Sequence, residues 1–98
     1  MSAAVQPDVA LRHYGIRVMF QTEHSLTQDQ ASRFWAAGRR FQSMNIPKLH
    51  FYRWEFDIDT TDAVEAANQT EHAIESIVQF GVDITGLEIR DLTGGGFL

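Results

Sequence analysis

The sequence has no cysteine, only two prolines and a single lysine among its 98 residues. Without cysteine, the chain cannot form disulfides, thiolate zinc sites, iron–sulfur clusters or thiol nucleophiles. It also has no apolar run near the about 18 residues that a membrane-spanning helix needs. Its first ten residues include no basic residue, which is atypical of a signal peptide. We therefore expect a cytoplasmic protein that does not bind membranes.

The length of the chain allows one domain. Its hydrophobic fraction of 44% and charged fraction of 21% are ordinary for a globular fold. Residues 1–10 show no periodicity and predict a flexible N-terminal arm. Three consecutive glycines at 94–96 predict a flexible C-terminal tail over 93–98. The single folded domain is therefore expected at 11–92.

The net charge of −5 is unevenly distributed along the chain. Residues 1–54 carry a net +4, whereas residues 55–98 carry a net −9. Such polarity suits internal complementarity, self-association or a charged partner. Seven of the eight basic residues are arginine, whose planar guanidinium favours bidentate pairing with carboxylates.

Residues 12–30 predict a strand followed by the start of a helix. Polar and apolar residues alternate over 12–21, which is typical of a half-buried strand. Two overlapping capping boxes begin at Ser25 and at Thr27, and either one can start the helix.

The end of this first helix is open to two interpretations. Its apolar stripe comprises Ala31, Phe34, Trp35, Gly38 and Phe41. The helix either continues to Met44 or ends at Gly38 in the left-handed conformation, with a short strand over 39–45. We favour the second alternative, because it completes a familiar topology.

The second half of the chain predicts a strand and a longer helix. Residues 49–58 alternate strongly and are rich in aromatic side chains, which favours a strand. Thr60 or Thr61 is expected to cap the following helix, and Gly81 is a natural stop for it.

A last strand is predicted over 82–92. Ile84 is in phase with Leu87 only if one residue is skipped, which predicts a β-bulge near Gly86. The element order is typical of an α+β fold, specifically a two-layer, ferredoxin-like α/β plait with both helices on one face of a small sheet.

The segment 57–60, Asp-Ile-Asp-Thr, is similar to the D-x-D-x-T motif of haloacid-dehalogenase-type phosphatases. In that family the first aspartate accepts the phosphoryl group and the second acts as acid and base. The likeness covers four residues only, and the one lysine of the chain precedes it. We therefore interpret the segment as a strand end leading into an acidic helix cap.

Histidine and carboxylate groups are the remaining candidates for chemistry. His50 alternates with Tyr52 on a predicted strand, and this pair is the candidate catalytic group, although such histidines usually lie at the rim of a core. Asn68, His72 and Glu75 share one helical face, but supply too few ligands for a metal ion. We expect no metal site and no cofactor.

One face of the predicted sheet carries both charged and apolar side chains. The candidate interface residues on it are Arg17, Met19, Leu49, Phe51, Arg53 and Glu55. Small apolar clusters with arginine at the rim suit protein–protein contacts. A mixed surface on an acidic protein argues against direct nucleic-acid binding.

These features favour a non-enzymatic protein-interaction or oligomerisation module. Its partner is expected to be a second copy, forming a homodimer, or another protein. The alternative is a dimeric α+β barrel acting as a small-molecule enzyme or ligand-binding protein. Its pocket would be lined by His13, His50, Tyr52 and Trp54. A third hypothesis is an acidic inhibitor or decoy that mimics nucleic-acid phosphates.

Overall fold

The computed structural model describes residues 10–44, 46, 48–79 and 81–93. The elements of this part of the chain are β1 (Arg12–Thr22), α1 (Gln28–Ala37), β2 (Arg40–Met44), β3 (His50–Thr60), α2 (Ala63–Val78) and β4 (Val82–Asp91). The four strands form one antiparallel sheet in the order β2-β3-β1-β4. The α+β class that the sequence predicts is therefore confirmed. The predicted arm and tail fall outside the described residues, except for Ala10 and Thr93.

The core lies between one face of the sheet and the two helices. Even-numbered residues of β1 and β3 supply the sheet side, and they include Tyr14, Ile16, Val18, Phe20, Tyr52, Trp54 and Phe56. The helices supply Phe34, Ala66, Ile74 and Val78. Alternation places every second strand residue on one face, so the strand residues of the core could be predicted from the sequence.

The helix stripe predicted for α1 is wrong at Trp35. Trp35 is 57% exposed, and its ring lies edge to face against Phe41, with centroids 6.4 Å apart. Phe41 belongs to β2, as the favoured alternative with a strand over 39–45 predicts. Phe34 is the only fully buried residue of this short helix, because the helix lies against the sheet with a narrow stripe.

The ends of α1 follow from local hydrogen bonding and from a close contact. Thr27 is the N-cap and forms a capping box with Gln30. Of the two helix starts that the sequence allows, at Ser25 and at Thr27, the structure therefore uses the second. The helix ends before Gly38, and a strand follows, as favoured. The left-handed conformation expected for Gly38 is wrong, because its φ of −142° and ψ of −176° are extended.

The N-cap of α2 differs from the prediction. Asp62 caps this helix by accepting a hydrogen bond from the backbone N–H of Glu65 at 2.8 Å. Thr60 instead ends β3, where its hydroxyl accepts a hydrogen bond from Gln69. Gln79, with φ of 80°, ends the helix, and Gly81 follows with φ of 71°.

The predicted β-bulge is confirmed. The pairing of β1 with β4 shifts by one residue between Met19 and Phe20, which pair with Gly86 and Ile84. The shift keeps Ile84 and Ile89 on the core side of the sheet, packed against the core. Neither helix in the described part of the chain is long and apolar enough to cross a membrane.

Candidate functional site

The sheet face opposite the helices has no layer covering it within the described residues. Strand alternation and the pairing register place odd residues of β1 and β3 on this open face. Its members are His13, Gly15, Arg17, Met19, Gln21, Arg40, Gln42, Met44, Phe51, Arg53, Glu55, Asp57, Asp59, Asp83, Gly86, Glu88 and Arg90. Most of these side chains are charged, so charged groups dominate the surface of the open face.

One register row crosses all four strands with charges of alternating sign. It runs from Arg40 on β2 through Glu55 on β3 and Arg17 on β1 to Glu88 on β4. Within the row, Arg17 Nε lies 3.5 Å from a Glu55 oxygen, and its Nη1 lies 3.3 Å from a Glu88 oxygen. We call these four residues the charged row.

Glu55 is the least exposed member of the charged row. Its side chain is only 12% exposed, and the guanidiniums of Arg17 and Arg53 approach it from two sides, at 3.5 and 3.8 Å. Arg53 also donates a 2.6 Å hydrogen bond to Gln42. Among the described residues, its buried Nε finds no hydrogen-bond acceptor. The Glu55 carboxylate is therefore flanked by two guanidiniums and largely shielded from water.

A second cluster lies at the start of β1. The imidazole Nδ1 of His13 lies 2.7 Å from Asp59, and its Nε2 lies 3.2 Å from Asp57. Arg39 reaches Asp57 at 2.9 Å. Hydrogen bonds with Asp59 and then with Asp57 raise the pKa of His13 above its ordinary value. His13 therefore holds a proton, and with it a positive charge, at higher pH than a free imidazole.

Hydrogen bonds join the residues that follow β4 to the start of β1. The backbone N–H of His13 donates to the hydroxyl of Thr93 at 2.8 Å, and Leu92 N–H donates to the His13 carbonyl at 2.7 Å. Hydrogen bonds from the Thr93 side chain and backbone, together with the charge of Arg12, lower the pKa of Asp91. These contacts fix the edge strand beside the open face.

Gly15 forms the floor of a shallow depression with a volume of about 250 Å³. Three guanidiniums line it, together with two carboxylates and one leucine: Arg17, Arg39, Arg90, Glu55, Glu88 and Leu92. A Cβ at Gly15 would lie 3.1 Å from Leu92 Cδ1 and 3.9 Å from Arg39 Nη2. The absence of a side chain at this position therefore creates the depression.

The opposite end of the open face is more apolar. Met19 and Phe51 are half-buried on neighbouring strands, and Met44 pairs with Phe51 across β2 and β3. Leu49, immediately before β3, is 43% exposed. All six interface candidates thus lie on the open face or at its margin, and the structure brings their charged and apolar members together.

The two catalytic candidates lie elsewhere. Tyr52 is buried on the helix side of the sheet, where its hydroxyl accepts a 3.1 Å hydrogen bond from the backbone N–H of Leu26. His50 is half-buried at the start of β3. Neither of them lines the Gly15 depression or the smaller one bounded by residues 22–26, Gln30 and Val78.

Sequence reasoning missed the cluster around His13. The sequence suggested His13 as part of the lining of an alternative pocket, and not as a partner of the two aspartates. Its actual partners are Asp57 and Asp59, and that of Arg39 is Asp57. The spacing of the two aspartates, two residues apart on one strand, was the available signal that both point to one face.

Comparison with known proteins adds no relationship to these observations. No family model, no curated protein and no solved structure matches the chain.

Proposed function

We propose that this chain is a non-enzymatic self-association module whose interface is the open face. We infer in addition that its fold is a ferredoxin-like plait. The sheet order β2-β3-β1-β4 and the alternation of strands and helices support this topology. In such an architecture the helices cover one face of the sheet, so the other face is the surface left for a partner.

The charged row carries this proposal. Its residues alternate in sign across all four strands, so the surface complements itself and needs no partner of opposite net charge. Of its two guanidiniums, Arg17 is 48% exposed at the side chain, and Arg40 is also exposed. Exposed arginines of this kind are common in protein interfaces.

The apolar end of the open face supplies the second requirement of an interface. Met19 and Phe51 are half-buried in the isolated chain, and Leu49 is 43% exposed. Aromatic and methionine side chains are enriched in interface cores, where they exclude water around the polar contacts. Covering these three residues therefore provides the hydrophobic component of association.

The size of the open face suits a reversible dimer. Strands spaced about 4.8 Å apart, with about 3.3 Å per residue, give the four strands a plan area of about 600 Å². Side-chain relief makes the accessible area larger than the plan area. A typical stable interface buries about 800 Å² on each partner, so covering the open face is enough for specific association.

Sedimentation velocity over a concentration series tests the proposal. We expect the wild-type protein to form dimers, and Phe51→Glu to shift it to monomer by placing a charge in the apolar end. Val64→Glu is the matched control, because Val64 is 71% exposed on the helix layer and should leave the dimer unchanged. A wild-type protein that stays monomeric at every concentration would refute self-association.

The Gly15 depression favours a second function, the binding of a small carboxylate or phosphate. Arg17, Arg39 and Arg90 line it, and guanidinium groups bind such anions in bidentate geometry. NMR titration with inorganic phosphate and with succinate tests this function. Chemical-shift changes confined to the depression and lost in Gly15→Val support it, whereas equal changes in both proteins count against it.

A further inference from the structure

We infer that two copies pack open face to open face about a two-fold axis parallel to the strands, between β3 and β1. This inference rests on the proposed self-association and specifies its geometry. Packed sheets keep their strand directions within about 30° of each other, so a face-to-face dimer has its axis nearly along the strands or nearly across them. The charges of the open face distinguish these two arrangements.

An axis parallel to the strands reverses the strand order of the second copy. The row reads positive, negative, positive, negative from β2 to β4. Reversal therefore places Arg40 over Glu88 of the second copy, and Glu55 over Arg17 of the second copy. All four charges meet a charge of opposite sign.

An axis across the strands gives the opposite result. It keeps each strand over its own counterpart, so Arg40 faces Arg40 and Glu55 faces Glu55 when the row lies on the axis. Like charges directly opposed across an interface are strongly unfavourable. The alternating sign of the charged row therefore favours the axis parallel to the strands over an axis that crosses the strands at this row.

The two rows nearest the start of β1 agree with this geometry. Strand reversal places β3 of one copy over β1 of the other, so Asp59 faces His13 of the second copy. It also places Asp57 over Gly15 of the second copy, where Arg39 and Arg90 line the depression. The carboxylate thus meets a recess lined by three guanidiniums and two carboxylates, and the glycine at this point leaves room for it.

Sheet twist does not remove the contacts at the edges. With edge strands about 7 Å from the axis and strands crossing at about 30°, the rows are displaced by about 4 Å there. Arginine and glutamate side chains are long and flexible enough to span this displacement. The Arg40 and Glu88 contact is therefore retained in a twisted dimer.

A charge exchange between Arg40 and Glu88 tests the geometry. These residues lie on opposite edge strands, three strand spacings or about 14 Å apart in one sheet, so they pair only between copies. Arg40→Glu and Glu88→Arg each oppose like charges twice in a homodimer. We expect each variant to weaken self-association at least about ten-fold in sedimentation equilibrium.

Mixing the two variants restores both contacts between positions 40 and 88. In the mixed dimer, one chain carries glutamate at both positions and the other carries arginine at both. We expect a heterodimer with affinity within about three-fold of wild type, and the same recovery in the double variant. Arg33→Glu mixed with Glu75→Arg is the control, since both residues are exposed on the helix layer, and it should change nothing. Circular dichroism verifies that each variant is folded.

The outcomes separate the two proposals. A wild-type protein that dimerises, with single variants that lose affinity but no recovery in the mixture or the double variant, overturns this axis and leaves self-association standing. Single variants that dimerise like wild type overturn the axis as well. A monomeric wild type overturns the proposed function itself.

Discussion

The indole Nε1 of Trp54 donates a 3.0 Å hydrogen bond to the carbonyl oxygen of Phe34. The bond joins the central strand β3 to the last turns of α1, and the two rings meet edge to face with centroids 4.9 Å apart. The bond satisfies both a buried donor and a helix carbonyl. It also brings the indole so close to the following backbone that Gly38 has no room for a side chain.

Gly38→Ala should destabilise the protein by about 1–3 kcal/mol, because the new Cβ overpacks this contact. It would lie 2.4 Å from Trp54 Nε1 and 2.7 Å from the carbonyl oxygen of Glu55. Urea denaturation measures the loss. Gly86→Ala is the control, since its Cβ would meet only the flexible end of Met19, at 3.1 Å. Equal stabilities of the two variants would contradict the steric explanation.

Thr27→Ala should lower the free energy of unfolding by about 1 kcal/mol, because it removes the N-cap of α1. The hydroxyl of Thr27 accepts from Gln30 N–H at 3.1 Å, and the Gln30 side chain accepts from Thr27 N–H at 2.9 Å. Ser25→Ala is the control, since Ser25 starts the capping box that the structure does not use. Thermal unfolding of both variants is the measurement, and a larger loss at Ser25 would show that the helix starts earlier.

Tyr52→Phe should cost about 1 kcal/mol of stability, because the backbone N–H of Leu26 loses its acceptor. Tyr14→Phe is matched to it, since Tyr14 is 5% exposed and Tyr52 is 6% exposed. In the described part of the chain, Tyr14 makes no hydrogen bond through its hydroxyl. We expect a clear loss for Tyr52 and little change for Tyr14 in chemical denaturation. Indistinguishable variants would show that the Leu26 contact contributes nothing.

His13→Gln should change how stability depends on pH. The pKa of His13 is raised in the folded state by Asp59 and Asp57, so its protonation stabilises the fold. This contribution is fully present below the ordinary histidine pKa of 6.5. It is lost as the pH rises through the raised value.

Urea denaturation at about pH 5.5 and about pH 8.5 measures this effect on either side of the transition. The wild type should exceed His13→Gln in stability at the lower pH, and the difference should shrink at the higher pH. His72→Gln, on the exposed face of α2, serves as control. A difference that stays constant or grows with pH would contradict the role of the two aspartates.

The order and type of the elements could be predicted because they depend on short-range patterns. Alternation with period two identified β1 and β3 and assigned their core residues. The one-residue break in the alternation near Gly86 predicted the bulge. Tertiary contacts decided the remaining details. Gly38 is extended, and Trp54 and Glu55 leave no room for a side chain there, a close approach that no local sequence signal reports.

For the candidate site too, sequence patterns predicted some features and tertiary contacts decided the others. The alternation of residues by itself placed Arg17, Arg53 and Glu55 on the open face, and the composition determined that arginine would be the main cation there. Only the tertiary structure decided which charges meet. Sign alternation along the charged row, and the meeting of His13 with Asp57 more than forty residues away, depend on the register between distant strands. Strand periodicity determines the face on which a side chain lies, whereas its neighbour is determined by pairing that the whole core holds in place.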